Sequence, residues 1–208
     1  MEVLVTGGAG FIGSNFVRYL LERTTDDVVT LDALTYAGSS DNLDGALDHP
    51  QHKFVEGDIR NRELVDRLVA SADAVVNFAA ETHVDRSIRS AEPFVSTNVQ
   101  GTQTLLDAVA EADIDRFVQV STDEVYGQVE SGTFGEDDRL NPRNPYAATK
   151  AGADLLVRSY HTTHDVPVLV TRSSNNYGPY QHPEKLIPKF THRARNGESL
   201  PVYGDGSN

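Results

Sequence analysis

Six short runs in the chain are apolar at almost every position. They are EVLVT (2–6), DVVTL (27–31), KFVE (53–56), AVVNF (74–78), RFVQV (116–120) and VPVLVT (166–171). β-Branched runs of this length, without polar alternation, predict strands covered on both faces. Between them the period changes. Over 91–111, Val95, Val99, Thr102, Leu106 and Val109 recur at alternating steps of four and three, which predicts one apolar face of a single helix. Residues 62–70 and 145–164 share that spacing, and a helical pattern opens after residue 10. Strand and helix alternate along the chain, so the predicted fold is α/β, a doubly wound parallel sheet of Rossmann type. Two stretches, 35–50 and 127–145, are rich in turn residues and predict long loops. No internal repeat is visible.

Composition narrows the function classes. Asp and Glu total 31 against 18 Lys and Arg, a net charge of −13 over 208 residues. As a whole such a chain repels nucleic acid and anionic lipid, so any phosphate-bearing ligand must be held by local devices. The acid excess reads as a solvated surface or as adaptation to high salt. Cysteine is absent, which excludes disulfides, thiolate zinc sites and thiol nucleophiles. His161 and His164 lie near a predicted helix end without further ligands, so no metal site is expected. The N-terminus does not read as a signal peptide and no apolar run is long enough to cross a bilayer. The expected location is the cytoplasm.

TGGAGFIGS (6–14) follows the first predicted strand and opens the first helix. Gly7, Gly10 and Gly13 allow a tight turn and close approach of backbone N–H groups to a pyrophosphate, which the helix N-terminus then stabilises without a lysine. Asp32 ends the second strand, where a carboxylate accepts ribose hydroxyls and repels a 2′-phosphate. The expected cofactor is therefore NAD rather than NADP. GDI (57–59) and NFAAET (77–82) end the next two strands, where open α/β sheets bind ligands, and Asp58 is placed to meet the adenine edge.

YAATK (146–150) sets Tyr146 and Lys150 one helical turn apart. A neighbouring ammonium is expected to lower the phenol towards neutrality, making Tyr146 a base for an alcohol losing hydride. STDEVYG (121–127) then ends a core strand on a hydroxyl, Thr122, and two carboxylates, Asp123 and Glu124. Adjacent carboxylates in a partly dry site can hold opposite protonation states.

These segments, in order along nearly the whole chain, resemble the extended short-chain dehydrogenases/reductases that act on nucleotide sugars. Within that superfamily they are similar to the dTDP-glucose 4,6-dehydratase family. FAAETHVDRSI, TNVQGT, SSNNYGPYQHPEKLIP and LPVYGDGSN extend the match. The resemblance implies NAD-dependent dehydration of dTDP-glucose to dTDP-4-keto-6-deoxyglucose, a hydro-lyase step of deoxysugar (rhamnose-type) biosynthesis. Oxidation at C4, loss of water across C5 and C6, and hydride return to C6 follow in turn. It implies Thr122, Asp123, Glu124, Tyr146 and Lys150 as catalytic residues, with Glu124 taking the C5 proton and Asp123 protonating the C6 hydroxyl. It adds Phe11, Ile12, Ala33, Leu34, Thr35, Ile59, Phe78, Ala79, Ala80, Glu81, Thr97, Tyr146, Lys150 and Asn176 to the NAD site. Thr82, Thr122, Asn175, Lys185, Leu186, Pro201, Val202 and Tyr203 would touch the dTDP-glucose substrate. A homodimer through the helices at 91–111 and 145–164 is also implied.

Residues 1–172 are thus expected to form the NAD-binding domain with its catalytic residues, and 173–208 part of a substrate-binding region. Members of the family are usually longer, so the chain is expected to be a fragment that binds substrate poorly. Alternative readings are a UDP-sugar 4-epimerase, a decarboxylase, a UDP-glucose 4,6-dehydratase, or a non-catalytic NAD-binding regulatory module. The acid pair argues against epimerases, which resemble this chain elsewhere but usually carry small residues there. His83, Asp85 and Arg86 have no assigned chemistry and are expected to form a buried polar cluster shaping the site.

Overall fold

The computed structural model describes residues 1–202 and 204–206. β1 (Glu2–Thr6) leads into α1 (Phe11–Arg23), β2 (Asp27–Asp32), β3 (His52–Glu56), α2 (Arg62–Val69) and β4 (Ala74–Asn77). Then come α3 (Val84–Arg89), α4 (Glu92–Phe94), a π-helical stretch (Val95–Gly101) and α5 (Thr102–Glu111). β5 (Arg116–Thr122), α6 (Pro145–His164), β6 (Val168–Ser173) and α7 (Leu186–Arg195) complete the order. The six strands form one sheet ordered β3-β2-β1-β4-β5-β6, and every pair is parallel. The chain runs outward from β1 to one edge, returns beside β1 as β4, and runs to the other. The gap beyond the carboxyl ends of β1 and β4 is where such sheets bind ligands.

The two faces of the sheet are covered unequally. Leu4, Leu31, Val75 and Phe117 pack with Val65 and Leu68 of α2, Leu105, Leu106 and Val109 of α5, and Val157 of α6. On the other face Val3, Val5, Val28 and Val76 pack against Val17 and Leu20 of α1. Three helices serve one face and one helix the other. Continuous burial was expected of all six strands, and the edges depart from it. β6 alternates between half-buried and exposed positions, with Leu169 46% exposed, and β3 is also only partly covered. The single helix on that face reaches β1 and β2 but not β6.

The helix expected at 91–111 is continuous but changes pitch. Across Val95–Gly101 it takes π geometry, whose i→i+5 bonds widen the turn. The predicted face is shifted as a result. Val95 is 50% exposed, whereas Asn98 is buried at 1%. Two short elements were also not anticipated: the helix α3, and a 3₁₀ turn at Ser40–Leu43 within the first loop.

α6 matches its predicted bounds because its start is specified locally. Asn144 is the N-cap, its side-chain oxygen accepting from the Ala147 N–H, and Pro145 occupies the first turn. The helix ends on Asp165 in the left-handed region, φ 56°.

Candidate active site

At the switch point the loop from β1 folds tightly over the first turn of α1. Gly7 has φ 70°, and a Cβ there would lie 2.5 Å from the Ala79 nitrogen on β4's exit. A Cβ on Gly13 would lie 2.3 Å from the Gly7 carbonyl oxygen. Only glycine lets the loop, the helix and the β4 exit meet this closely. Gly10 is the N-cap of α1 without a side-chain cap, and first-turn N–H groups have no partner inside a helix. Gly10, Phe11, Ile12 and Gly13 line a cleft of about 600 Å³. These donors, in a cradle that side chains would fill, fit a pyrophosphate.

Asp32 closes the same cleft. Its two oxygens accept from the backbone N–H groups of Ala9 and Leu34, both at 2.9 Å. Burial pushes its carboxyl up, and those two N–H groups oppose the shift. Ala33, Thr35, Asp58, Ile59, Phe78, Ala79, Ala80, Glu81, Thr82 and Thr97 also line the cleft. Leu34 does not: at φ 48° its side chain turns into the core beside α1. Asp58 is gripped by Arg60, which contacts both its oxygens and holds its carboxyl below the usual range.

Deeper in, Thr122, Glu124, Tyr146 and Lys150 line the cleft with Asn175, Asn176, Lys185 and Leu186. Glu124 Oε2 accepts from Asn144 Nδ2 at 3.0 Å, so the cap of α6 also aims the acid. Asp123 and Glu124 begin a 3₁₀ turn, Asp123–Tyr126. Three residues per turn point neighbours in different directions. Glu124 therefore faces inward, while Asp123 is exposed at the rim, 3.4 Å from the Thr122 hydroxyl.

The tyrosine departs from expectation. Burial and the charge of Glu124 push the Tyr146 phenol well above its ordinary range, with Thr122 opposing them. Lys150 does not offset this. Its ammonium is 4% exposed, donates to the Val120 carbonyl at 2.7 Å, and is pushed down to about 8 by burial. An acid from a different segment outweighs the helical neighbour.

Pro201 and Val202 lie outside the cleft, Val202 being 67% exposed on the chain that follows α7. Tyr203 lies outside the described residues. Among the described residues no group of three or more His, Asp or Glu could hold a metal ion, and no helix is long and apolar enough to cross a membrane.

Two sets of residues contain members not singled out from the sequence. Asn98, moved inward by the π-helical stretch, bonds the Glu81 backbone at both N–H and carbonyl and donates to Thr149, whose hydroxyl donates to the Tyr146 carbonyl. Thr6, Asn77, Gln119 and Thr102 continue this buried chain. The available signal was polar Asn77 and Gln119 inside apolar strands. The second set surrounds Tyr36, whose hydroxyl meets Thr82 at 3.2 Å and Glu184 at 3.4 Å. Arg86 stacks over its ring at 4.0 Å, and His83 pairs with Glu184 at 3.5 Å. His83 and Arg86 thus belong to a polar cluster at the cleft wall, but it is not the buried trio expected, since Arg86 and Asp85 are both exposed.

A doubly wound parallel sheet, a glycine loop at its switch point and a Tyr–Lys pair in one cleft define a short-chain dehydrogenase/reductase domain. The family model described as GDP-mannose 4,6 dehydratase matches residues 4–208. A protein of Haloferax volcanii named low-salt glycan biosynthesis protein Agl12 is 78% identical over 208 residues, covering 100% of this chain and 67% of that protein. The dTDP-glucose 4,6-dehydratase of an Actinoplanes species is 51% identical over 214 residues, with 100% and 67% covered. The crystal structure of DesIV, a dTDP-glucose 4,6-dehydratase from Streptomyces venezuelae solved with NAD, superposes with a TM-score of 0.97 at 55% identity, over 100% of this chain and 66% of that one. The chain belongs to this family of nucleotide-sugar dehydratases, in its dTDP-glucose 4,6-dehydratase branch. It spans about two thirds of the length of these relatives.

Proposed function

We propose that the chain carries the NAD site and the catalytic residues of an enzyme that dehydrates dTDP-glucose to dTDP-4-keto-6-deoxyglucose. The observation that carries this reading is the convergence of Thr122, Glu124, Tyr146 and Lys150 in the cleft that opens on the glycine loop. When bound, the nicotinamide dinucleotide supplies a hydride acceptor for C4, a hydride donor for C6 and a positive charge in the cleft. Gly10 to Gly13 hold the pyrophosphate and Asp32 the adenosine ribose. Tyr146 takes the proton of the C4 hydroxyl, and Thr122 hydrogen-bonds that oxygen. The resulting ketone acidifies C5–H, which Glu124 removes from its hold on Asn144. Asp123, at the exposed rim, protonates the departing C6 hydroxyl. Asn175, Lys185 and Leu186 line the cleft where the nucleotide diphosphate enters. In this reading residues 1–172 carry the cofactor and 173–208 begin the substrate region. The protein acts in the cytoplasm as a homodimer, with Val95 and Leu155, 50% and 56% exposed, among the apolar residues the partner covers.

The test is product NMR in heavy water, with NAD and dTDP-glucose, on the protein carrying this chain at the length of its relatives. A 4-keto-6-deoxy sugar with deuterium at C5 is expected. A C4 epimer with C6 still hydroxylated would overturn the roles of Asp123 and Glu124.

Cofactor choice gives a second expectation. Asp32→Ser removes a charged acceptor and the repulsion of a 2′-phosphate. NAD affinity should fall by about ten- to a hundredfold, as for loss of a charge-assisted hydrogen bond, while NADP affinity falls less or rises. Calorimetric titration with both dinucleotides decides it, and an equal loss for the two would remove Asp32 from the ribose site.

A further inference from the structure

Lys150 is a cation placed almost entirely out of water. Desolvating an ammonium costs several kcal/mol in real proteins unless an anion or a set of dipoles compensates it. Its hydrogen bond goes to a neutral group, the Val120 carbonyl at 2.7 Å. The compensating anion lies one turn further along α6. Asp154 is 0% exposed and stands at i+4 from Lys150, on the face that already carries Tyr146. Its Oδ2 accepts from Arg172 Nε on β6 at 2.9 Å, and its Oδ1 is buried without a hydrogen-bond partner. A half-satisfied buried carboxylate is costly, and it needs a reason to be there.

We propose that Asp154, held in place by Arg172, is a positioning residue that keeps the buried Lys150 charged and directed at the active site. The inference rests on Lys150 serving the site described above. Tyr146 and Asp154 lie on α6 one turn to either side of Lys150, with Arg158, Tyr160, His161 and His164 further along it; Asp123 and Glu124 follow β5, and Arg172 lies on β6. Asp154 is the one whose charge supports the ammonium, against the burial that pushes it down. Arg172 keeps Asp154 ionised: burial pushes that carboxyl up, and the guanidinium opposes the shift. Arg172 is itself anchored, donating to the Tyr126 hydroxyl at 2.6 Å and the Glu136 carbonyl at 3.2 Å. The hydrogen-bonded line runs from Glu136 in the 127–145 loop through Arg172 to Asp154, one turn along α6 from Lys150.

The chain has only four lysines, Lys53, Lys150, Lys185 and Lys189, so each can be followed by NMR of ¹³Cε-labelled lysine, with Lys150→Arg assigning the signal. In Asp154→Asn the titration midpoint of Lys150 is expected to fall by about one pH unit or more, and Asp154→Glu should restore most of it. A midpoint unchanged in folded Asp154→Asn overturns the proposal. If Asp154→Asn does not fold, Arg172→Gln decides. Without the guanidinium, burial neutralises Asp154, so the midpoint should fall here too, and an unchanged or raised midpoint overturns the proposal. The readout needs neither substrate nor turnover. Absence of dehydration would therefore count against the proposed function without moving this result.

Discussion

Tyr146→Phe is expected to lower turnover of the sugar nucleotide by about 10²- to 10⁴-fold, the range a general acid or base contributes. Dinucleotide affinity should change only a few-fold. The substitution keeps the ring and removes one hydroxyl. That hydroxyl faces Thr122 and Glu124, and it caps no element. The backbone of residue 146 remains fixed because its N–H donates to Ser87 Oγ at 3.1 Å and its carbonyl accepts from Thr149. Lost activity with intact folding therefore reports chemistry. The phenol is held protonated by burial and by Glu124, so the rate limb controlled by Tyr146 should rise with pH. Steady-state kinetics across pH checks both parts. Tyr146→Phe with ordinary turnover would remove the residue from the mechanism.

Gly13→Ala is expected to damage the cofactor loop severely. The added carbon would meet three backbone atoms of Gly7 and Gly8 at 2.3 to 3.0 Å, none at the end of a flexible side chain. Overpacking of this kind costs about 1–3 kcal/mol, which lowers Tm by a few degrees. Relief comes only by moving the loop off α1, which takes the first-turn N–H groups away from the pyrophosphate. NAD affinity should drop by more than about tenfold. Gly135→Ala is the control, since its added carbon meets only Asp138 Oδ2, at 3.8 Å. Thermal unfolding and calorimetry on both variants test the contrast, and equal effects would show that the close approach at Gly13 is not what binding requires.

Much of this architecture was legible because the signals are local. Apolar runs of four to six residues place all six strands within a residue or two, and Asn144–Pro145 specifies the start of α6. The glycine loop and Asp32 are read from spacing because their geometry depends on backbone alone. What was not legible depends on segments meeting in space. The phenol of Tyr146 answers to Glu124, twenty-two residues away, more than to Lys150 in its own helix. Tyr36 joins the cleft wall through Thr82 and Glu184, which no spacing rule connects to it. The exposed Asp123 follows from the 3₁₀ turn, a geometry that adjacent acids do not announce. Exposure of Val95 was hidden because a 3.6-residue period was assumed where the helix widens.

The widened turn between Phe94 and Thr102 also sets how this site tolerates changes in length. An i→i+5 ladder takes up more residues than an α-helix of the same rise. Deleting one residue from 95–101 would let the helix close as ordinary α, at little cost to α5 and its packing. The segments on either side would keep their relative places, because the widened turn is what absorbs the extra residue, but the side chains inside the stretch would be re-aimed. Asn98 would then leave the Glu81 backbone and Thr149 unpaired beneath the cleft. The fold can lose a residue here, but the active site cannot.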